Sequence, residues 1–175
     1  MQLDSGSQAM EFALNRPKRA DDSYQHQVGV VSFPPLPVDL SHRHGGFMGR
    51  IVLIGIGGLV GTLLRYVIGG ALARVKVGAS FPYETLVINV TGCLAIGALA
   101  GLAESRGILS GTARAVVFIG LLGGYTTFST FGYETFQLVR GGQMVTAAAS
   151  GALQVVLGVS AVWAGDAGVR ALWGR

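Results

Sequence analysis

Charge is scarce in this chain. Of its 175 residues only 13% are Asp, Glu, Lys or Arg, and half are hydrophobic, where a soluble domain carries roughly 25% charged residues. Mean hydropathy is +0.53. Together these exclude an ordinary soluble domain and point to an integral membrane protein. After Met48 there is no histidine, one cysteine and no pair of carboxylates, so the parts of an intramembrane hydrolase are missing. Cys93 is the sole cysteine and lies in an apolar run; it has no mate for an internal disulfide. The net charge of +4 forms no basic patch, because most Arg and Lys flank apolar segments; no nucleic-acid partner is expected. The N-terminus lacks the basic start and apolar stretch of a secretory signal.

Residues 1–47 differ from the rest. They hold four of the five prolines (Pro17, Pro34, Pro35, Pro37), all three histidines (His26, His42, His44) and five of the nine acidic residues. No periodicity survives there, so the stretch reads as a disordered extension. His42 and His44 are too sparse to argue for a metal site. Met48 begins a run, MGRIVLIGIGG, with the look of a membrane protein's own start; Met48 is the expected initiator, and 1–47 a dispensable leader or an upstream mis-start.

From Met48 the expectation is an all-α membrane protein of four transmembrane helices: 51–73, 85–103, 113–139 and 144–165. Each is near the roughly 20 residues that cross a bilayer, and the short loops suit an antiparallel bundle. One side would carry Arg50, Arg106, Arg114, Arg170 and Arg175, the other Arg74, Lys76 and Arg140. That bias is weak for a rule that counts basic residues in short loops, so the chain can insert both ways round. Four spans are few to enclose a polar path, and an antiparallel homodimer in the lipid bilayer is expected.

The third span holds GLLGGYTTFSTFGYE, Gly120 to Glu134. Gly123-Gly124 lowers helix propensity and hydroxyl residues follow, so a break is expected at the glycines. At membrane depth, broken backbone is tolerated only against protein or a cavity. Phe128 and Phe131 share a helix face. Other spans each bring polar groups: Asn89 in the second, Ser150 and Gln154 on one face of the fourth. With Thr127, Ser129 and Thr130 they can line a narrow track, though any one alone reads as a hydrogen bond between helices. Gly57, Gly58 and Gly61 in the first span, and Gly92, Gly97 and Gly101 in the second, predict close helix packing. Arg65 is the one strong charge well inside a span. It either caps carbonyls or pairs with a carboxylate near the interface, or raises the local potential for an anion. Glu84, Glu104 and Asp166 fall near span ends, and Glu134 is the exception. With no carboxylate at mid-span, a proton-coupled cation exporter is disfavoured.

The blocks GGLVGTLLRY, ETLVINVTGCLAIG and GLLGGYTTFSTFGYET, in this order, resemble the CrcB/Fluc family of fluoride channels, over about Gly55 to Gly165. The resemblance implies a four-helix subunit in an antiparallel, dual-topology homodimer with two fluoride pathways. It implies a sodium ion at the dimer centre, held by the carbonyls of Gly123 and Thr126. Phe128 and Phe131 match the phenylalanines that face the pores. Asn89 matches the asparagine of the family's Val-Asn motif, here Ile-Asn, which donates to fluoride. Thr130, Ser150 and Gln154 would continue the track. Gln154 departs from the Ser or Thr usual there, and its longer amide would narrow or fill the path.

The implied function is passive fluoride export across the cell membrane, the inner membrane where there are two. The chemistry agrees with it. Opened backbone offers oxygen ligands to a hard cation, a fixed cation attracts an anion, and ring edges carry partial positive charge. The alternatives are a dual-topology carrier of small cations or drugs, with Glu134 as its carboxylate, and a non-conducting partner subunit of a heterodimeric fluoride channel.

Overall fold

The computed structural model describes residues 44–74, 81–106 and 109–173. The expected disorder of the N-terminal extension falls mostly outside these residues. Where the two meet, the first helix, α1 (His44–Leu72), begins ahead of Met48, so residues 44–47 are helical.

The described residues are helical throughout, with no strand. The second span is α2 (Tyr83–Arg106). The third comprises a single turn, α3 (Gly111–Arg114), then a wider π-helical segment over Ala115–Leu122, then α4 (Gly123–Tyr125) and α5 (Phe128–Arg140). The fourth is α6 (Met144–Trp173). All four spans, Gly46–Leu72, Tyr83–Ser105, Gly111–Arg140 and Met144–Trp173, are long and apolar enough to cross a membrane. The sequence-based bounds fall short mainly at two ends: the first span begins five residues earlier, at Gly46, and the fourth runs eight residues further, to Trp173. The cause is that amphiphilic ends such as Glu104 and Arg170 continue the helix while leaving the apolar run.

Two pairings organise the bundle. α2 lies along α6, and α1 lies along the π segment and α4. Glycine makes both approaches possible. A methyl group on Gly97 would overlap the Val162 carbonyl of α6, and one on Gly165 the Leu94 carbonyl of α2. On the other side Gly61 admits the Leu121 carbonyl, and Gly57 faces that of Val116 at 2.8 Å from its would-be Cβ. Water-driven burial contributes little between lipid-bathed helices, so such close backbone contact is the main cohesive force. α5 turns back into α6 through Gly141-Gly142-Gln143, where Gly142 has φ +72°, a left-handed conformation that glycine adopts without cost. Outside these seams the surface is apolar: Val145 is 84% and Leu172 75% exposed. That surface suits lipid, and this is a multi-pass membrane protein.

At the end of the α2–α6 pair, Arg170 bonds Glu104 and Asp166, each at 2.8 Å. These are the ion pairs among the described residues. Arg65, half-buried, has no carboxylate partner among them.

Candidate functional site: the break in the third span

The third span breaks, but not where the glycines stand. Gly123 has helical dihedrals, φ −64° and ψ −35°, and Gly124 lies within α4. The chain leaves the helix at Thr126 (φ −81°, ψ 159°) and Thr127 (φ −149°, ψ 114°), then re-enters at Phe128. The expected Gly-Gly break is therefore shifted by three residues. The glycines serve proximity instead: a Cβ on Gly124 would come within 2.5 Å of the Gly58 carbonyl. The β-branched threonines, comfortable in extended backbone, supply the break.

One side chain from another helix holds the break open. Asn89 Oδ1 accepts from the Thr127 N–H at 2.8 Å, and Asn89 Nδ2 donates to the Thr127 carbonyl at 3.1 Å. A single amide thus satisfies the Thr127 N–H, which apolar surroundings would otherwise penalise, and gives a second donor to a carbonyl that also opens α5. The reciprocal pairing also fixes which end of the Asn89 amide is which. Its remaining proton goes to Gln154 Oε1 at 3.2 Å. Thr127 then caps α5, its Oγ1 accepting from the Thr130 N–H at 3.3 Å and donating to Thr130 Oγ1 at 2.9 Å.

The break leaves the carbonyls of Gly123, Gly124, Tyr125 and Thr126 without their helical donors. In a continuous helix the Thr127 N–H would reach the Gly123 carbonyl and the Thr130 N–H the Thr126 carbonyl. Here those protons go to Asn89 and to Thr127 Oγ1. Gly123 and Thr126 are the two residues whose carbonyls the sequence resemblance assigns to a cation, and neutral oxygens freed in this way fit a hard monovalent ion. No cluster of three or more His, Cys, Asp or Glu that could hold a metal occurs among the described residues.

Beside the break lies a cavity of about 360 Å³. Asn89, Gly123, Thr126, Phe128, Phe131 and Gln154 all contribute to its wall, so most expected site residues do converge. The rings of Phe128 and Phe131 meet edge to face, centroids 5.6 Å apart at 61°. Phe131 is half-buried, while Phe128 is 83% exposed in the single chain. Four expected residues lie elsewhere, Arg65 on α1 among them. Thr130 is exposed and joins the site only through Thr127. Ser150 is fully buried with its hydroxyl unpartnered. Glu134 Oε1 accepts from Thr85 Oγ1 at 2.8 Å, while its Oε2 is buried without a partner.

Some contributors were not singled out from sequence. Thr85 escaped notice because its partner Glu134 is 49 residues away. Cys93 and Phe118 also line the cavity, and nothing in the local pattern separates them from core. Gly92 was read as packing; its added role is to admit Thr126, whose methyl group occupies the place of a Cβ there. Tyr125 docks beside it, its hydroxyl 2.8 Å from Thr91 Oγ1. Since the Thr91 proton turns back to the Val87 or Ile88 carbonyl, Tyr125 is the donor.

Comparison with known proteins agrees with this architecture. The family model described as "CrcB-like protein, Camphor Resistance (CrcB)" matches residues 52–166, which takes in every element of the site. The protein named fluoride-specific ion channel FluC from Methylobacillus flagellatus is 41% identical over 118 residues, 67% of this chain and 92% of that one. Its namesake from Nitrobacter winogradskyi is 44% identical over 122 residues, 70% and 96% of the two chains. A third, from Nitratidesulfovibrio vulgaris, is 41% identical over 118 residues. With a broken third span braced by Asn89 and a family match across all four spans, this chain belongs to the CrcB family.

Proposed function

We propose that this chain is a fluoride-selective channel that lets fluoride leave the cell down its gradient. The observation that carries the reading is the broken third span, with opened backbone at membrane depth beside a cavity edged by two phenyl rings. The names of its relatives point the same way. Hydrogen fluoride crosses a bilayer as a neutral molecule and ionises in a more alkaline cytoplasm, so the anion accumulates until a pathway releases it. Fluoride is small and strongly hydrated. Amide and hydroxyl protons replace part of its water, and ring edges attract it without a counter-charge that would trap it.

In this reading the carbonyls of Gly123 and Thr126 hold a sodium ion, which supplies fixed positive charge near the anion's route. Asn89, Phe128, Phe131 and Gln154 line that route at the cavity, Thr130 and Ser150 would extend it beyond, and Arg65 adds positive potential at the membrane. The functional unit is an antiparallel homodimer, the weak bias of Arg and Lys between the two sides allowing both insertions. A second copy would cover the exposed Phe128 ring and part of the apolar face of α1.

Efflux from proteoliposomes holding only this chain is the test. Fluoride flux far above chloride flux, and dependent on sodium, is expected. Comparable chloride flux defeats selectivity, and absence of any flux defeats conduction by this chain alone. One observation favours a second reading, a carrier driven by protons: Glu134 has an unpartnered buried oxygen within a span. Under that reading Glu134→Gln abolishes transport that a proton gradient drives, and fluoride has no effect.

A further inference from the structure

Asn89 has no proton left to offer an anion. Its amide end is fixed by Thr127, as Oδ1 must face the Thr127 N–H and Nδ2 the Thr127 carbonyl. The second Nδ2 proton goes to Gln154 Oε1 at 3.2 Å, the longest of the three bonds. Other side-chain protons on the cavity wall are also spent. Thr126 Oγ1 donates back to the Leu122 carbonyl at 2.9 Å, and Thr127 Oγ1 to Thr130. Gln154 itself is poorly held. Its Nε2 is buried without an acceptor, a state that costs free energy for a polar group. Its present position therefore rests on the single bond to Asn89.

We propose that the Gln154 carbonyl is a built-in substitute for the anion. It occupies the one Asn89 proton that faces away from the break, and the passing anion must displace it. The residue thereby sets throughput rather than providing a docking group. This deepens the channel reading and rests on it. A carbonyl oxygen and a fluoride ion ask the same thing of Nδ2, one acceptor along one N–H. The anion wins that exchange because a hydrogen bond to a charged acceptor is the stronger. Gln154 leaves at small cost because its other end has no bond to lose.

The experiment compares fluoride efflux by wild-type protein and Gln154→Ala at matched reconstitution. Removing the competitor should raise flux roughly two- to tenfold, the range of a neutral hydrogen bond's net strength. A second measurement follows the Asn89 side-chain amide by NMR in asparagine-labelled protein titrated with sodium fluoride against sodium chloride. In Gln154→Ala that amide should shift downfield at lower fluoride than in wild type. Equal or lower flux in the variant, with the fluoride midpoint of Asn89 unchanged, overturns the proposal and leaves Gln154 a structural residue or a donor. Wild-type protein that passes no fluoride overturns the channel reading instead, so the two failures are distinct.

Discussion

Replacing Asn89 with leucine probes the break directly. The two side chains are close in size, so the change removes three hydrogen bonds, at 2.8, 3.1 and 3.2 Å, with little change in packing. The Thr127 N–H is then unpaired within an apolar span, while its carbonyl keeps the first hydrogen bond of α5. Such an orphan costs about 1–3 kcal/mol, and the open form loses roughly that much. The cheapest relief is to close the helix. The Thr127 N–H returns to the Gly123 carbonyl, and the oxygen proposed for sodium is taken up. Asn89→Leu should therefore fold, lose sodium dependence and lose fluoride flux together. Asn89→Asp is the contrast. It keeps an acceptor for the Thr127 N–H and loses the donors, so the break persists while flux falls. Thermal unfolding in detergent across a sodium series, paired with liposome efflux, reads both outcomes. Wild-type flux and an unchanged sodium response in Asn89→Leu would refute the clamp.

Other expectations follow from the same geometry. Phe128→Ile should lower fluoride flux in the liposome assay by about two- to tenfold, the scale of an aromatic edge contact. Gly97→Val should push α2 from α6 and destabilise the protein by about 1–3 kcal/mol or more, visible as a lower unfolding temperature; an unaltered value would mean the crossing is looser than the Val162 contact implies. Arg170→Ala should leave the unfolding temperature nearly unchanged, because solvent screens its pairs with Glu104 and Asp166, and efflux should be unaffected. Thr85→Val removes the one donor to the Glu134 carboxylate; the fall in stability it causes should be largely relieved by adding Glu134→Gln, which a double-mutant cycle measures.

The four spans were legible because a bilayer imposes one length and one composition on anything that crosses it. The glycine-lined seams were legible for a similar reason: Gly57, Gly61 and Gly97 sit at helical spacing where only a missing side chain lets backbones touch. The break was legible as an event but not as a position. Gly123-Gly124 carries the weaker helix propensity, yet propensity is a small term beside a reciprocal amide clamp. The clamp comes from Asn89, 38 residues away. Nothing in AVVFIGLL announces a π-helical segment either, since its apolar pattern serves an α-helix equally well.

The sequence alone thus determined a four-span membrane protein of this family, with hydroxyls and phenyl rings at the centre of its third span. Tertiary structure decided where that span opens, which carbonyls are freed and which amide protons are already spent. The division has a physical cause. Spans and seams depend on composition and local spacing, while the opening of the third span depends on where single hydrogens go, and the decisive one, on Thr127 N, has its partner on another helix.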